Sequence, residues 1–269
     1  MSTPTVDILY ITYNRILYTR KTLPAMIENA GADFALTIVD NGSTDGTTEY
    51  LKFIEKKYSH VVTRVQYNSE NQGISLPTNI FWKNSEAGFL GKVDNDTLLP
   101  PGWLARLLEA HAKSRRLGVV GGYHFHPDYM DMAALERRVV DVDGVALVPD
   151  VFIGGCCYLF RKEVQEKIGY LPVTPGKKTF GWTQYQRAIC LMGYNNGYLY
   201  PLLFVEHFDD PLNEQNLAFT VHAKISKISF GDKNLTLDRK KALAWYIRDA
   251  RRVESGASLK ELGLPISAR

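Results

Sequence analysis

A chain of 269 residues that is 45% hydrophobic and 23% charged has the material for one large core with a short appendage, which excludes extensive disorder. Its net charge of +3, the balance of 32 basic and 29 acidic residues, is too small to imply a nucleic-acid or membrane partner by itself. Three cysteines, Cys156, Cys157 and Cys190, two of them adjacent, exclude a disulfide framework and lack zinc spacing, so they read as buried thiols in a reducing compartment.

The residues before Asp7 are polar, with no basic region and no small-residue cleavage site, so no signal peptide is expected. No run approaches the ~18 apolar residues of a membrane span, and a soluble, cytoplasmic protein is expected. Val6 to Thr12 (VDILYIT) reads as a buried first strand, and Ile16 to Ala30 as a helix in which Pro24 predicts a kink or a late start. Phe34 to Val39 reads as a second strand, ended by the loop Asp40 to Gly46 (DNGSTDG). A helix from Thr47 to Tyr58 follows, capped by Ser, Thr or Asp of that loop. Val61 to Tyr67 is a third strand, Ser75 to Ser85 a third helix, and Phe89 to Val93 a fourth strand running into Asp94-Asn95-Asp96. This alternation predicts an α/β fold with a parallel, helix-covered sheet, whose ligands bind outside the carboxyl ends of the strands.

The second half is less regular. It reads as a helix from Trp103 to Ser114, a strand from Val119 to Tyr123, a hairpin around Asp143-Gly144 and an apolar segment from Val151 to Phe160. Short helices at Arg161 to Ile168 and Trp182 to Met192 precede a turn at Asn195-Asn196-Gly197 and a strand from Tyr198 to Val205. A long Lys- and Arg-rich helix spans Asp238 to Glu254. Residues 1–212 are expected to form the α/β domain and 213–269 a helical extension packed on it.

Asp94 and Asp96 stand two residues apart at a strand end, which points their carboxylates to one side. Two such groups repel unless a cation lies between them, and hard oxygen ligands suit Mg²⁺ or Mn²⁺. Asp40 can accept hydrogen bonds from a nucleoside, Tyr13 can stack on a base, and Arg15 can reach a phosphate.

The succession Y-I-T-Y-N-R, I-V-D-N-G-S-T-D-G-T, N-Q-G-I-S-L-P-T-N and V-D-N-D resembles the family 2 glycosyltransferases of the GT-A fold, over about residues 6 to 105 and more weakly to about 210. The resemblance implies a metal-dependent transferase that moves a sugar from a nucleoside diphosphate sugar, most often a UDP-sugar. Thr12, Tyr13, Asn14, Arg15, Asp40 and Asn41 would line the nucleoside side, and Asn71, Gly73 and Asn79 the flanking loop and helix. Lys92, Asp94 and Asn95 complete the expected donor site. Asp94-Asn95-Asp96 would be the metal motif, and His207 in Val205-Glu206-His207 a further metal ligand. Gly154 to Arg161 resembles the family's glycine-containing segment beside donor and acceptor.

The family's inverting members carry an acidic pair in the segment that falls here at Phe180 to Arg187, where Gln184 stands and no acid occurs. Three readings stay open. The base comes from elsewhere, with Asp150, Glu206, Asp209 and Asp210 as candidates. The enzyme retains configuration. Or the chain binds a sugar nucleotide with little transfer. The late aromatics, Trp182, Tyr185, Tyr194, Tyr198, Tyr200 and Phe204, pack a core or form a sugar platform. The basic terminal helix is a solvated face or a seat for an anionic acceptor. An acceptor glycan, a lipid-linked sugar or a modified nucleic-acid base all fit. A pyrophosphorylase is disfavoured because Thr12 to Ile16 lacks glycine, and a dehydrogenase because no G-x-G-x-x-G follows the first strand.

Overall fold

The computed structural model describes residues 6–173, 181–214, 216, 228–230, 233–235 and 239–265. The first half alternates as expected: β1 (Val6–Thr12), α1 (Ile16–Glu28), β2 (Ala35–Asp40), α2 (Thr47–Lys57), β3 (Val62–Tyr67), α3 (Ser75–Asn84) and β4 (Phe89–Asp94). Then come β5 (Thr97–Leu98), α4 (Trp103–Lys113), β6 (Leu117–Gly121), α5 (Met132–Glu136), and the hairpin β7 (Val140–Asp141) and β8 (Ala146–Pro149). The chain continues through β9 (Cys157–Arg161), α6 (Lys162–Ile168), α7 (Trp182–Leu191), β10 (Asn195–Leu199) and β11 (Glu206–His207). A short hairpin, β12 (Ile228–Phe230) and β13 (Lys233–Leu235), precedes α8 (Arg239–Ser255) and α9 (Ala257–Glu261). Phe180 and Asp238 lie outside the described residues. Among the described residues no helix is long and apolar enough to cross a membrane.

Nine strands form one sheet in the order β3-β2-β1-β4-β9-β6-β10-β8-β7. The sheet is mixed rather than wholly parallel: β9 and β8 run against the other seven. Alternation along the central strands supplies both layers of the core. Ile8 and Tyr10 of β1 enter one apolar cluster and Leu9 and Ile11 the other, because successive side chains leave opposite faces. Each fully buried large apolar side chain contributes about 2 kcal/mol.

Details differ from expectation for local reasons. Pro24 lies within α1 and does not delay its start at Ile16. Asp45 serves two helices: Oδ2 accepts Ile16 N–H at 2.9 Å and Oδ1 accepts Thr47 N–H at 3.1 Å, which places a carboxylate at both positive helix ends. Asn195-Asn196-Gly197 is not a turn but the opening of β10. Asn196 is buried, accepts Val119 N–H at 2.8 Å and donates to Val151 and Gln186 carbonyls, so its amide is satisfied inside the core. A Cβ at Gly197 would stand 2.6 Å from Leu147 Cγ, so no side chain fits there.

His111 is buried under the sheet, with its Nε2 3.2 Å from the Leu159 carbonyl. Burial presses its pKa from 6.5 down to about 4, with Arg161 adding to this against the Leu159 hydrogen bond. The unfolded chain therefore binds a proton that the folded chain refuses. Stability is full above pH 6.5 and is lost as pH falls toward 4, by up to roughly 3 kcal/mol at about 1.4 per unit. Urea unfolding at pH 7.5 and pH 5 should show this slope, and His111→Phe should flatten part of it.

Candidate active site

The carboxyl ends of β1, β2 and β4 open on a cleft of about 500 Å³. Asn14 and Arg15 have φ of 56° and 66°, so the chain turns sharply after β1. Asn14 N–H donates to Ser43 Oγ at 2.7 Å and Asn14 Oδ1 accepts Thr44 N–H at 2.9 Å, which ties the first loop to the second. Asp40 is buried, and its two oxygens accept Ser43 N–H and Thr48 Oγ1–H. These bonds make it shape the loop. Asn41, also buried, donates to the Gly73 carbonyl at 2.8 Å and accepts from Asn68. Thr12 Oγ1 accepts the Asn95 amide at 3.0 Å. Tyr13, Asn71 and Gly73 line the cleft, with Tyr13 43% exposed. Asn79 does not: its amide exchanges two hydrogen bonds with the Leu171 backbone, at 2.8 and 2.9 Å.

The charged floor is a linked set. Arg15 donates to Asp96 Oδ2 at 2.7 Å and to Asp209 Oδ2 at 2.8 Å. β11 pairs with β5 so that His207 stands opposite Thr97, and His207 Nε2 lies 3.5 Å from Asp96 Oδ1. Tyr246 of α8 fixes the other ring nitrogen, with its hydroxyl 2.9 Å from Nδ1. Asp96 Oδ1 is buried without a hydrogen-bond partner.

Asp94 is held apart from this set. β4 ends at Asp94, so Asp96 lies beyond the strand and the two carboxylates serve different cations. Asp94 pairs with the buried Lys92 ammonium, which also donates to the Gly155 carbonyl. Both aspartates nevertheless line the same cleft. No group of three or more His, Cys, Asp or Glu stands arranged for a metal among the described residues.

Titration follows the same division. Burial pushes the Asp94 carboxyl up, with Lys92 opposing. It pushes Asp209 up too, against Arg15. Burial also opposes ionisation of Asp96, but His207 and Arg15 outweigh it and hold the carboxyl well below its usual range. Burial disfavours a charged His207, and Cys156, Tyr246 and Asp96 outweigh it to raise the ring's pKa.

Residues 7–169 match the family model described as Glycosyl transferase family 2. The chain belongs to that family. An uncharacterized glycosyltransferase of Rickettsia bellii (strain RML369-C) is 27% identical over 94 residues, 35% of this chain and 13% of that protein. The chain spans only 13 to 36% of the length of the curated relatives it matches. Among solved structures, mannosyltransferase PcManGT from Pyrobaculum calidifontis, in complex with GDP-Man and Mn²⁺, aligns at TM-score 0.63 and 20% identity, over 77% of this chain and 57% of that one. S. aureus TarS 1-349 in complex with UDP-GlcNAc aligns at TM-score 0.60 and 14% identity, over 95% and 74% of the two chains. These likenesses establish a GT-A fold for this family 2 glycosyltransferase.

Against that background, the acids expected to act on the acceptor scatter. Asp209 is in the Arg15 cluster. Asp150 is buried beside a neighbouring cavity, and its Oδ1 accepts Phe152 N–H and Ser258 Oγ–H. Gln184 is exposed, because Trp182, Tyr185 and Gln186 take the inward face of α7. Glu206 bonds to Asn213, and Asp210 to Tyr129 and the Leu212 backbone. Trp182 and Tyr185 are buried and stacked, Trp182 lying 4.3 Å from the Tyr158 ring, and Trp182 also lines the neighbouring cavity. Three residues missed from sequence line the transferase's cleft from α8: Trp245, Tyr246 and Asp249, joined by His124 from the sheet side.

Proposed function

We propose that this family 2 glycosyltransferase moves a sugar from a nucleoside diphosphate sugar, most often a UDP-sugar, to an acceptor hydroxyl with the help of Mn²⁺ or Mg²⁺. The observation that carries the reading is the buried Asp96 Oδ1, which accepts no hydrogen bond and faces His207 Nε2 at 3.5 Å. An anionic oxygen and an imidazole nitrogen suit Mn²⁺, and the Tyr246 hydroxyl on Nδ1 orients the ring as a metal-ligand histidine requires. Asp96 and His207 would hold the ion, leaving its other positions to diphosphate oxygens and water. When bound, the ion neutralises charge growing on the leaving diphosphate. Arg15 keeps Asp96 ionised, and Tyr13 offers a half-exposed ring to the base. Solved relatives of the same fold that hold GDP-Man with Mn²⁺ or UDP-GlcNAc support the donor class. The C-terminal extension belongs to this working site through α8, and the acceptor is a glycan, a lipid-linked sugar or a modified nucleic-acid base.

Calorimetric titration with UDP, GDP and their sugars, with and without Mn²⁺, tests the proposal. Nucleotide binding that Mn²⁺ leaves unchanged would sink the metal assignment, and no binding of either nucleotide would sink the donor assignment. Tyr246→Phe removes only the hydroxyl behind His207. It should raise the Mn²⁺ concentration for half-maximal nucleotide binding about 10-fold, with binding at saturating Mn²⁺ preserved.

A further inference from the structure

The donor cleft adjoins a second cavity of about 460 Å³ that reaches Asp150, Thr183, Gln186 and Tyr198. Seven residues line both spaces: Ile74, Asp94, His124, Phe125, Gly154, Gly155 and Asp249. A group that takes the acceptor's proton while the anomeric carbon is attacked must face both molecules, so it belongs to this shared wall. Only Asp94, His124 and Asp249 on it can take up a proton. Asp94 is bound to Lys92, and its Oδ2 lies against Gly155, 3.2 Å from where a Cβ would stand. The ring of His124 is packed on Phe125 at 4.2 Å and abuts Gly154, where a Cβ would lie 2.5 Å from Cε1.

Asp249 is the most accessible of the three. It lies three residues after Tyr246 on α8, so the helix that supports His207 carries Asp249 to the same wall. Its side chain is 49% exposed, and its ion pair is with its exposed neighbour Arg248 at 2.9 Å. No acid enters the second cavity from α7, which supplies Trp182, Thr183 and Gln186. Asp150 lines that cavity but not the donor cleft, and Ser258 and the Phe152 backbone hold it.

We propose that Asp249 is the general base of this transferase and that the second cavity seats the acceptor. The acceptor oxygen forms its bond to the anomeric carbon as the bond from that carbon to the diphosphate breaks. The electron pair leaves on the diphosphate, and the acceptor's proton passes to the Asp249 carboxylate. Attack from the face opposite the diphosphate inverts the anomeric configuration.

This rests on the donor assignment above, so the test separates the two. Water serves as the acceptor: UDP-GlcNAc, UDP-glucose and GDP-mannose are each incubated with the full chain and Mn²⁺, and the first sugar anomer released is followed by NMR. The wild type should release inverted sugar. Asp249→Asn should slow release about 100-fold or more with donor affinity by calorimetry within twofold and an unchanged melting temperature. Asp249→Glu should recover part of the rate, and Glu109→Gln, an exposed carboxylate on α4 away from both cavities, should stay within threefold of wild type. Release at the wild-type rate by Asp249→Asn, a retained anomer, or donor binding with no release by the wild type would overturn the proposal. Absence of donor binding by the wild type would instead overturn the donor assignment.

Discussion

Asp96→Asn is expected to lower sugar transfer or donor hydrolysis by roughly 10³-fold and to abolish the gain in nucleotide affinity that Mn²⁺ brings. The fold should survive the change. The asparagine oxygen can still accept from Arg15, and Arg15 keeps Asp209 as its charged partner at 2.8 Å. What is lost is the anionic Oδ1 facing His207. Asp94→Asn should behave in the opposite way. It breaks the ion pair that the Asp94 carboxylate makes with Lys92, a residue 1% exposed, and breaking such a buried pair destabilises by about 3 kcal/mol. Thermal melting and Mn²⁺-dependent nucleotide titration of the two variants therefore separate the paired aspartates. Asp96→Asn should lose the metal effect at a near-normal melting temperature, and Asp94→Asn should melt early. Equal Mn²⁺-supported nucleotide affinity in Asp96→Asn and wild type would refute the metal role of Asp96.

The donor side of the fold was legible because its strands are uninterrupted apolar runs closed by polar loops. The expected β1, β2 and β4 fall within a residue or so of those observed, and their loops meet at one cleft. The partnership of Asp96 with His207 could be named from family resemblance, but its geometry depends on β5 and β11, a ladder of two residues each, too short to leave any periodicity. The ion-pair partners of Asp94 and Asp96 were not legible for a related reason: strand alternation stops where β4 stops, and Lys92 and Arg15 reach the two carboxylates from different elements. Asn195-Asn196-Gly197 misled because amide side chains usually mark turns, whereas Asn196 spends its amide inside the core. On α8 the signal was present but hidden by charge. Ala242, Trp245, Tyr246, Asp249, Ala250 and Val253 follow helical spacing, and Ala250 and Val253 join an apolar core cluster, while Lys240, Lys241, Arg248 and Arg251 are exposed.

Arg15→Met is expected to be strongly destabilising. It leaves Asp96 and Asp209, 7% exposed each, with no guanidinium between them. Breaking a buried ion pair costs about 3–5 kcal/mol. The 28% exposure of the Arg15 side chain admits some solvent, so the lower figure applies and the melting temperature should fall by roughly 6–12 °C. Arg15→Lys should recover little, because one ammonium cannot fork to both carboxylates. Two further measurements distinguish lost charge pairing from lost packing on Tyr18, whose ring lies 5.7 Å from the guanidinium carbon. Without Arg15 the Asp209 carboxyl, already raised by burial, rises further, and Asp96 rises from its depressed value. The deficit is then full above those raised values and shrinks as pH falls through them, opposite in sign to the His111 slope. Mn²⁺ bound at Asp96 should also restore more stability to Arg15→Met than to wild type, since it replaces the missing positive charge. A deficit that neither lower pH nor Mn²⁺ reduces would assign Arg15 to packing of the turn after β1 instead.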